Sequence, residues 1–256
     1  MRPIRYAHVL APLFSLKRDS TILEVGCGEG SGLRLLSQIG FKHVIGCEVS
    51  IERLSQASSS YGAKLQLVQS GVSDPLPFPD ASFDAVVSAA VIEHALDQTQ
   101  FVREVSRVLK PGGLAIVSSD CFSWRILQWL RLYSSIQPID QAAPIWELQK
   151  NFAETNLECT HITGFSHPRC KLRFLRILLN STIPGLKYLL RSHPVSVDSD
   201  LDLFTSTVEE INRTPPKKSS ILIATNYLKA ICSDENILVA VKRASLTADS
   251  FSHRIP

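Results

Sequence analysis

In Ile22-Leu23-Glu24-Val25-Gly26-Cys27-Gly28-Glu29-Gly30-Ser31-Gly32, an apolar run around one acid passes into glycine at every second position. Few folds accommodate that order, which spells a buried strand, a tight loop and the start of a helix. Gly26, Gly28 and Gly30 have no Cβ, so the backbone can take positive φ and a ligand can lie directly against its amides. The loop is therefore expected to hold a nucleotide-like cofactor. The dinucleotide fingerprint G-x-G-x-x-G places its third glycine three residues after the second. Ser31 stands there, so that fingerprint fails.

The segments that follow alternate between helix and strand. Leu33, Leu35, Leu36 and Ile39 give one helical face, with Gly40 as its C-terminal cap. Val44-Ile45-Gly46-Cys47-Glu48 is a second strand, and Glu48 falls where a doubly wound fold sets a carboxylate for ribose hydroxyls. Ser50 caps the next helix, and Leu65-Gln66-Leu67-Val68 is a third strand. A turn-rich loop, Leu76-Pro77-Phe78-Pro79-Asp80-Ala81-Ser82-Phe83-Asp84, precedes the strand Ala85-Val86-Val87-Ser88. Asp97 with Gln100 forms a capping box for a helix carrying Phe101, Val105, Val108 and Leu109 on one face. That helix is expected to stop at Lys110-Pro111-Gly112-Gly113, ahead of a fifth strand over 114–119. The pattern predicts a mostly parallel sheet covered on both faces. Residues before Thr21 supply a helical turn or two, in which Arg5, Tyr6 and His8 are expected to pack at the surface rather than to close a pocket.

Beyond Asp120 the signal changes. Residues 124–133 are expected to form a helix that buries most of its circumference; Ile145, Leu148 and Phe152 mark another; 158–165 and 236–241 are expected as the last strands. The intervening stretch far exceeds a hairpin loop, so 169–235 is expected to be a helical insertion. We expect one domain over 1–244 and a loose polar tail over 245–256. Within the insertion, Arg169, Lys171, Arg173, Arg176, Lys187 and Arg191 are interleaved with leucine, isoleucine and phenylalanine. Such a basic, apolar stretch over 169–191 suits either contact with an anionic membrane or a lid on a lipophilic substrate.

Six cysteines show no C-x-x-C pair and no zinc spacing, which implies reduced thiols and a cytoplasmic setting; no metal is expected. Nothing approaches a spanning helix of about 20 apolar residues. A formal charge of +3 is too small to imply nucleic acid, and no nucleic-acid motif appears.

Segments 22–32, 44–50, 76–84, 91–94 and 109–113, in this order and spacing, resemble the type 11 branch of class I S-adenosylmethionine-dependent methyltransferases. The resemblance covers roughly residues 20–120. It implies a Rossmann-like, doubly wound, seven-stranded sheet with an antiparallel last strand, and S-adenosylmethionine as cofactor. It further implies that Gly26, Cys27, Gly28 and Gly30 lie under the methionine part and sugar, that Glu48 binds the ribose hydroxyls, and that Val49 lies against adenine. Glu24 would anchor the loop, either by capping its amides or near the cofactor amino group, and Ser88 and Ala89 would face the methionine end. One departure stands out: the family often has Gly-Asp after the third strand, with the acid accepting from the adenine amino group. Here the pair is Gly71-Val72. Val72 and Ser73 are therefore assigned to adenine, Asp74 being able to substitute only if the loop bends differently.

Methyl transfer from a sulfonium needs an in-line nucleophile, and a base only if that nucleophile carries a proton. Glu93 and His94 are the candidates for that role, the alternative for His94 being to fix the start of the next helix. Trp124, Trp129 and His167 are candidates for contact with a small, apolar or amphiphilic acceptor. Protein side-chain methylation and a non-catalytic adaptor are the alternative readings. The sequence leaves the oligomeric state open.

Overall fold

The computed structural model describes residues 3–61, 65–120, 145–165 and 235–243. The helix expected over 124–133, the insertion expected over 169–235 apart from Glu235, which begins a strand, Trp124, Trp129, His167 and the tail 245–256 lie outside the described residues. Seven strands form one sheet: β1 (Thr21–Val25), β2 (His43–Glu48), β3 (Gln66–Gln69), β4 (Phe83–Ala89), β5 (Leu109–Asp120), β6 (Leu157–Phe165) and β7 (Glu235–Lys242), in the order β3-β2-β1-β4-β5-β7-β6. β1 to β5 pair in parallel, and β7 runs antiparallel to both its neighbours. This is the doubly wound sheet with a reversed last strand. Strand order turns back between β1 and β4, and in such sheets the crevice beyond the strand carboxyl ends at that point takes ligands. The glycine loop begins at the end of β1.

Helices α1 (Pro3–Leu10), α2 (Ser31–Gln38), α3 (Ile51–Tyr61), α4 (Gln98–Val108) and α5 (Ile145–Ala153) cover the sheet. Strand side chains alternate between faces and both faces are apolar, so the core has two layers. Leu23, Val25 and Val86 pack with Phe101 and Val105 of α4 and with Leu148 and Phe152 of α5. Ile22, Ala85 and Val87 pack with Leu33 and Leu36 of α2 and with Leu10 of α1. The helix ends follow their sequence signals. The Arg53 amide donates to Ser50 Oγ at 3.3 Å, and the Gln100 amide to Asp97 Oδ1 at 2.9 Å. Gly40 (φ 100°) closes α2, the Phe41 amide donating to Leu36 O and the Gly40 amide to Ser37 O.

One boundary differs from expectation. Leu109 already pairs with Phe83, and the next pairs match Ala85 with Leu114, so Lys110-Pro111-Gly112-Gly113 is a bulge inside β5 rather than a linker before it. The bulge aims Lys110 Nζ at both oxygens of Asp84, at 2.9 Å each, while Asp84 Oδ2 also accepts from the Thr21 amide at 2.8 Å. Burial opposes the charge on Asp84, but the Thr21 amide and Lys110 outweigh it and hold its pKa below the usual range. The preceding loop is clamped to α4 by Arg107, which donates to the carbonyls of Leu76 and Phe78 and to the carboxylates of Asp80 and Glu104. All these contacts lie at the amino ends of the strands, across the sheet from the glycine loop.

Candidate functional site

The loop after β1 is stitched to β2: the Gly26 and Cys27 amides both donate to Cys47 O, at 2.8 and 3.0 Å. Gly26 has φ 72°, and a Cβ there would collide with both methyl groups of Val91, which comes from the turn after β4. Gly28, at φ 53°, faces the other way, and a Cβ on it would meet nothing within 4 Å. The loop is thus backed by Val91 beneath Gly26 and left open at Gly28, a cradle that fits a ligand lying on backbone.

Glu48 ends β2 almost fully buried. Its Oε2 accepts from the Gly28 amide at 3.0 Å and its Oε1 from the Ser50 amide at 3.1 Å, so one carboxylate joins the glycine loop to the start of α3. Beside it, Val49 is 63% and Ile51 56% exposed, unusual for apolar residues next to a core strand. Val49 Cγ2 and Asp74 Oδ2 flank Gly71, lying 3.7 and 2.7 Å from where its Cβ would stand. Val72 packs partly into the α4-side core, and Ser73 Oγ accepts from the Leu96 amide at 3.1 Å. The loop therefore bends back, bringing Asp74 beside Val49 while Ser73 ties down the turn after β4. Leu96, held there, is 73% exposed.

Glu24 is buried within β1. The Tyr6 hydroxyl donates to its Oε1 at 2.9 Å, and Oε2 has no hydrogen-bond partner among the described residues. Burial pushes its pKa up to about 7, against the opposing pull of Tyr6 and of the Leu33 amide. A Cβ on Gly32 would collide with Oε1 and stand 2.6 Å from Oε2, so the carboxylate rests under the first turn of α2. Tyr6 is only 2% exposed, which corrects the expectation that it packs at the surface: a buried carboxyl needs a donor, and α1 supplies it. Cys27 and Cys47 are buried free thiols, Cys27 pushed above the ordinary thiol range and Cys47 up to about 12, both chiefly by burial. They stay protonated and pack as small apolar groups.

At the end of β4, Ser88 is buried, its Oγ without a partner among the described residues, and Ala89 is half-buried. Ala90 follows at φ 54°, its amide donating to Ser118 O and Ser118 Oγ. The turn Ile92–His94 then points the candidate acid–base pair apart: Glu93 is buried and His94 exposed. His161 lies on β6 at the far edge of the sheet, its pKa lowered by burial. Among the described residues, no three His, Cys, Asp or Glu side chains are grouped to hold a metal ion. Tyr6, Val91, Leu96 and Asp74 join or border the site although the sequence patterns did not assign them to it.

Residues 23–117 match the type 11 family described as Methyltransferase domain. Over 98 residues the chain is 41% identical to a Mycolicibacterium smegmatis protein named as a probable S-adenosylmethionine-dependent methyltransferase, covering 38% of this chain and 37% of that one. It is 35% identical over 115 residues to a sterol 24-C-methyltransferase of Gibberella zeae, covering 43% and 30% of the two. The chain spans about a third of the length of these curated relatives. In fold it resembles Haemonchus contortus phosphoethanolamine N-methyltransferase 2, solved with S-adenosyl-L-methionine, at TM-score 0.58 and 19% identity, over 93% of this chain and 52% of that one. The family match is confined to residues 23–117, and over the rest of the chain the likeness to the solved methyltransferase is one of fold alone.

Proposed function

We propose that the chain binds S-adenosylmethionine at the end of β1 and β2 and directs methyl transfer to a small apolar or amphiphilic acceptor. The observation that carries this reading is Glu48, a carboxylate at the end of β2 bonded to the amide of Gly28 and bordered by exposed Val49 and Ile51. A ribose diol needs such an acceptor, and a purine needs such an apolar neighbour. When bound, the cofactor supplies an electrophilic sulfonium methyl. The chain's residues bind and orient. Gly28 offers open backbone, Glu48 accepts from the ribose hydroxyls, and Val49 with Val72 packs on the base. Asp74 stands beside Val49 as an acceptor for the base's amine. Positioning of this kind supplies much of the rate in a displacement. His94, exposed at the rim, is the group placed to take a proton from an acceptor that carries one.

The acceptor class rests on the apolar and basic character of 169–191 and is supported by the sterol named for the Gibberella relative. The same stretch suits peripheral contact with anionic lipid. Among the described residues no helix is long and apolar enough to cross a membrane. Titration calorimetry with S-adenosylmethionine and S-adenosylhomocysteine tests the cofactor: micromolar binding is expected, and absence of binding by either ligand overturns the reading. Incubating extracts with a labelled methyl donor then identifies the acceptor. Flotation with anionic against neutral vesicles tests the lipid contact, with Arg173→Glu/Arg176→Glu expected to abolish it.

A further inference from the structure

We propose that Tyr6 is a positioning residue of the cofactor site: its hydroxyl orients the Glu24 carboxylate beneath the first turn of α2, so that α1 and the glycine loop act as one unit. This rests on the cofactor reading above, but the residues involved lie partly outside the domain that carries it, since Tyr6 precedes residue 23.

Three observations converge. The Tyr6 ring is buried in the same core layer as Leu33 and Leu36 of α2, so α1 is docked against the helix that the glycine loop opens. The Tyr6 hydroxyl donates to Glu24 Oε1 at 2.9 Å. Gly32, the second residue of α2, has no room for a Cβ because Glu24 and Tyr6 fill that space, Tyr6 Cε1 standing 2.5 Å from the position. The three groups interlock. Turning the carboxylate would drive an oxygen into the backbone of α2 or leave it without its donor, and α2 begins immediately after Gly30. The loop's geometry is thus set from below by a residue 18 positions upstream of the acid it holds.

The same burial gives a signature. Glu24 prefers to be protonated in the folded protein, with a pKa near 7 against an ordinary 4.5. The titratable groups facing it are Tyr6 from α1, Cys27 from the loop and Cys47 from β2, both thiols being held protonated. No cation among the described residues contributes to its ionisation. A carboxyl whose folded pKa is raised contributes stability that is complete below its unfolded value and is lost as pH rises towards the folded one. Tyr6 opposes that rise. Tyr6→Phe keeps the buried ring, removes the donor and pushes the pKa further up.

The test combines thermal unfolding of the free protein from pH 5 to 9 with calorimetry using S-adenosylhomocysteine. The wild-type midpoint should fall as pH rises from about 5 through 7, Glu24→Gln should flatten the profile, and Tyr6→Phe should extend the fall to higher pH. Tyr6→Phe should also weaken S-adenosylhomocysteine about tenfold at unchanged stoichiometry, the size expected for one lost hydrogen bond. A Tyr6→Phe profile and affinity identical to wild type overturn the proposal. If Tyr6→Phe folds poorly, Glu24→Gln carries the test, because it retains Tyr6, and an unflattened profile overturns it equally. If wild type binds neither cofactor form, the proposed function fails, while the unfolding profiles still decide the role of Tyr6.

Discussion

Val91 occupies the space in which a side chain on Gly26 would begin. The turn after β4 thereby supports the loop after β1 across the point where strand order reverses, and the first glycine is required twice, by its φ of 72° and by Val91. Gly26→Ala should destabilise the fold by roughly 2–4 kcal/mol, adding left-handed strain to a steric clash. Gly26→Ala/Val91→Ala should recover part of that loss, because it relieves the clash and leaves the strain. Urea denaturation of the two variants and of Val91→Ala, read as a double-mutant cycle, measures the coupling, which should be favourable by about 1 kcal/mol or more.

Glu48 has a structural task and, in the proposed function, a ligand-binding one, and graded substitutions separate them. Glu48→Gln keeps one acceptor oxygen for a backbone amide and loses the charge; Glu48→Ala releases both Gly28 and Ser50. We expect S-adenosylhomocysteine affinity to fall about tenfold in the first and at least a hundredfold in the second, with a lowered unfolding midpoint in the second alone. Equal affinity in wild type and Glu48→Ala would remove Glu48 from the site.

In the proposed site Asp74, rather than Ser73, is the group beside the base. Ser73 is engaged by the Leu96 amide, whereas Asp74 Oδ2 stands beside Val49 over Gly71. Calorimetry should find that Asp74→Ala weakens S-adenosylhomocysteine by about fivefold, the worth of one solvent-exposed hydrogen bond. Ser73→Ala should change it less than twofold.

The sheet was legible because its strands are apolar on both faces and its helix caps use residues whose side chains or φ values act locally: Ser50, Asp97 and Gly40 each satisfy groups within three or four positions. The positive-φ loop of Gly26, Gly28 and Gly30 was legible for the same reason, since its geometry is written in consecutive residues, and Glu48 was legible only as the last residue of the second strand. Tyr6 was not, because its partner lies 18 residues away and an aromatic residue in a short helix carries no sign of which side it buries. Val91 was hidden likewise, its role depending on a contact with Gly26. The bulge in β5 was read as an interruption because Pro111 and Gly112 break local propensity, while the pairing that resumes at Leu114 is set by β4. Trp124, Trp129, His167 and the insertion fall outside the described residues, so the acceptor half of the site rests on sequence character.

The segment 76–84 is part of the family resemblance, yet its contacts place it at the amino ends of the strands, away from the glycine loop. Arg107 holds it to α4 through the carbonyls of Leu76 and Phe78 and the Asp80 carboxylate, with Glu104 of α4 bonded to the same guanidinium. The Arg107 guanidinium lowers the pKa of Glu104, chiefly by hydrogen bonding. A depressed carboxylate contributes stability that is present above its unfolded pKa and is lost as pH falls through the folded one. Arg107→Met should therefore destabilise the protein by about 2 kcal/mol at neutral pH, since it leaves the carbonyls of Leu76 and Phe78 without their donor and Glu104 with the Leu76 amide but no cation. The deficit should shrink in acid, as pH falls through the lowered folded pKa of Glu104. Affinity for S-adenosylhomocysteine, measured well below the unfolding midpoint, should stay within twofold of wild type. A large loss of affinity in the folded variant would mean that the clamp at the amino ends of the strands reaches the loop at their carboxyl ends, which the contacts described here do not provide.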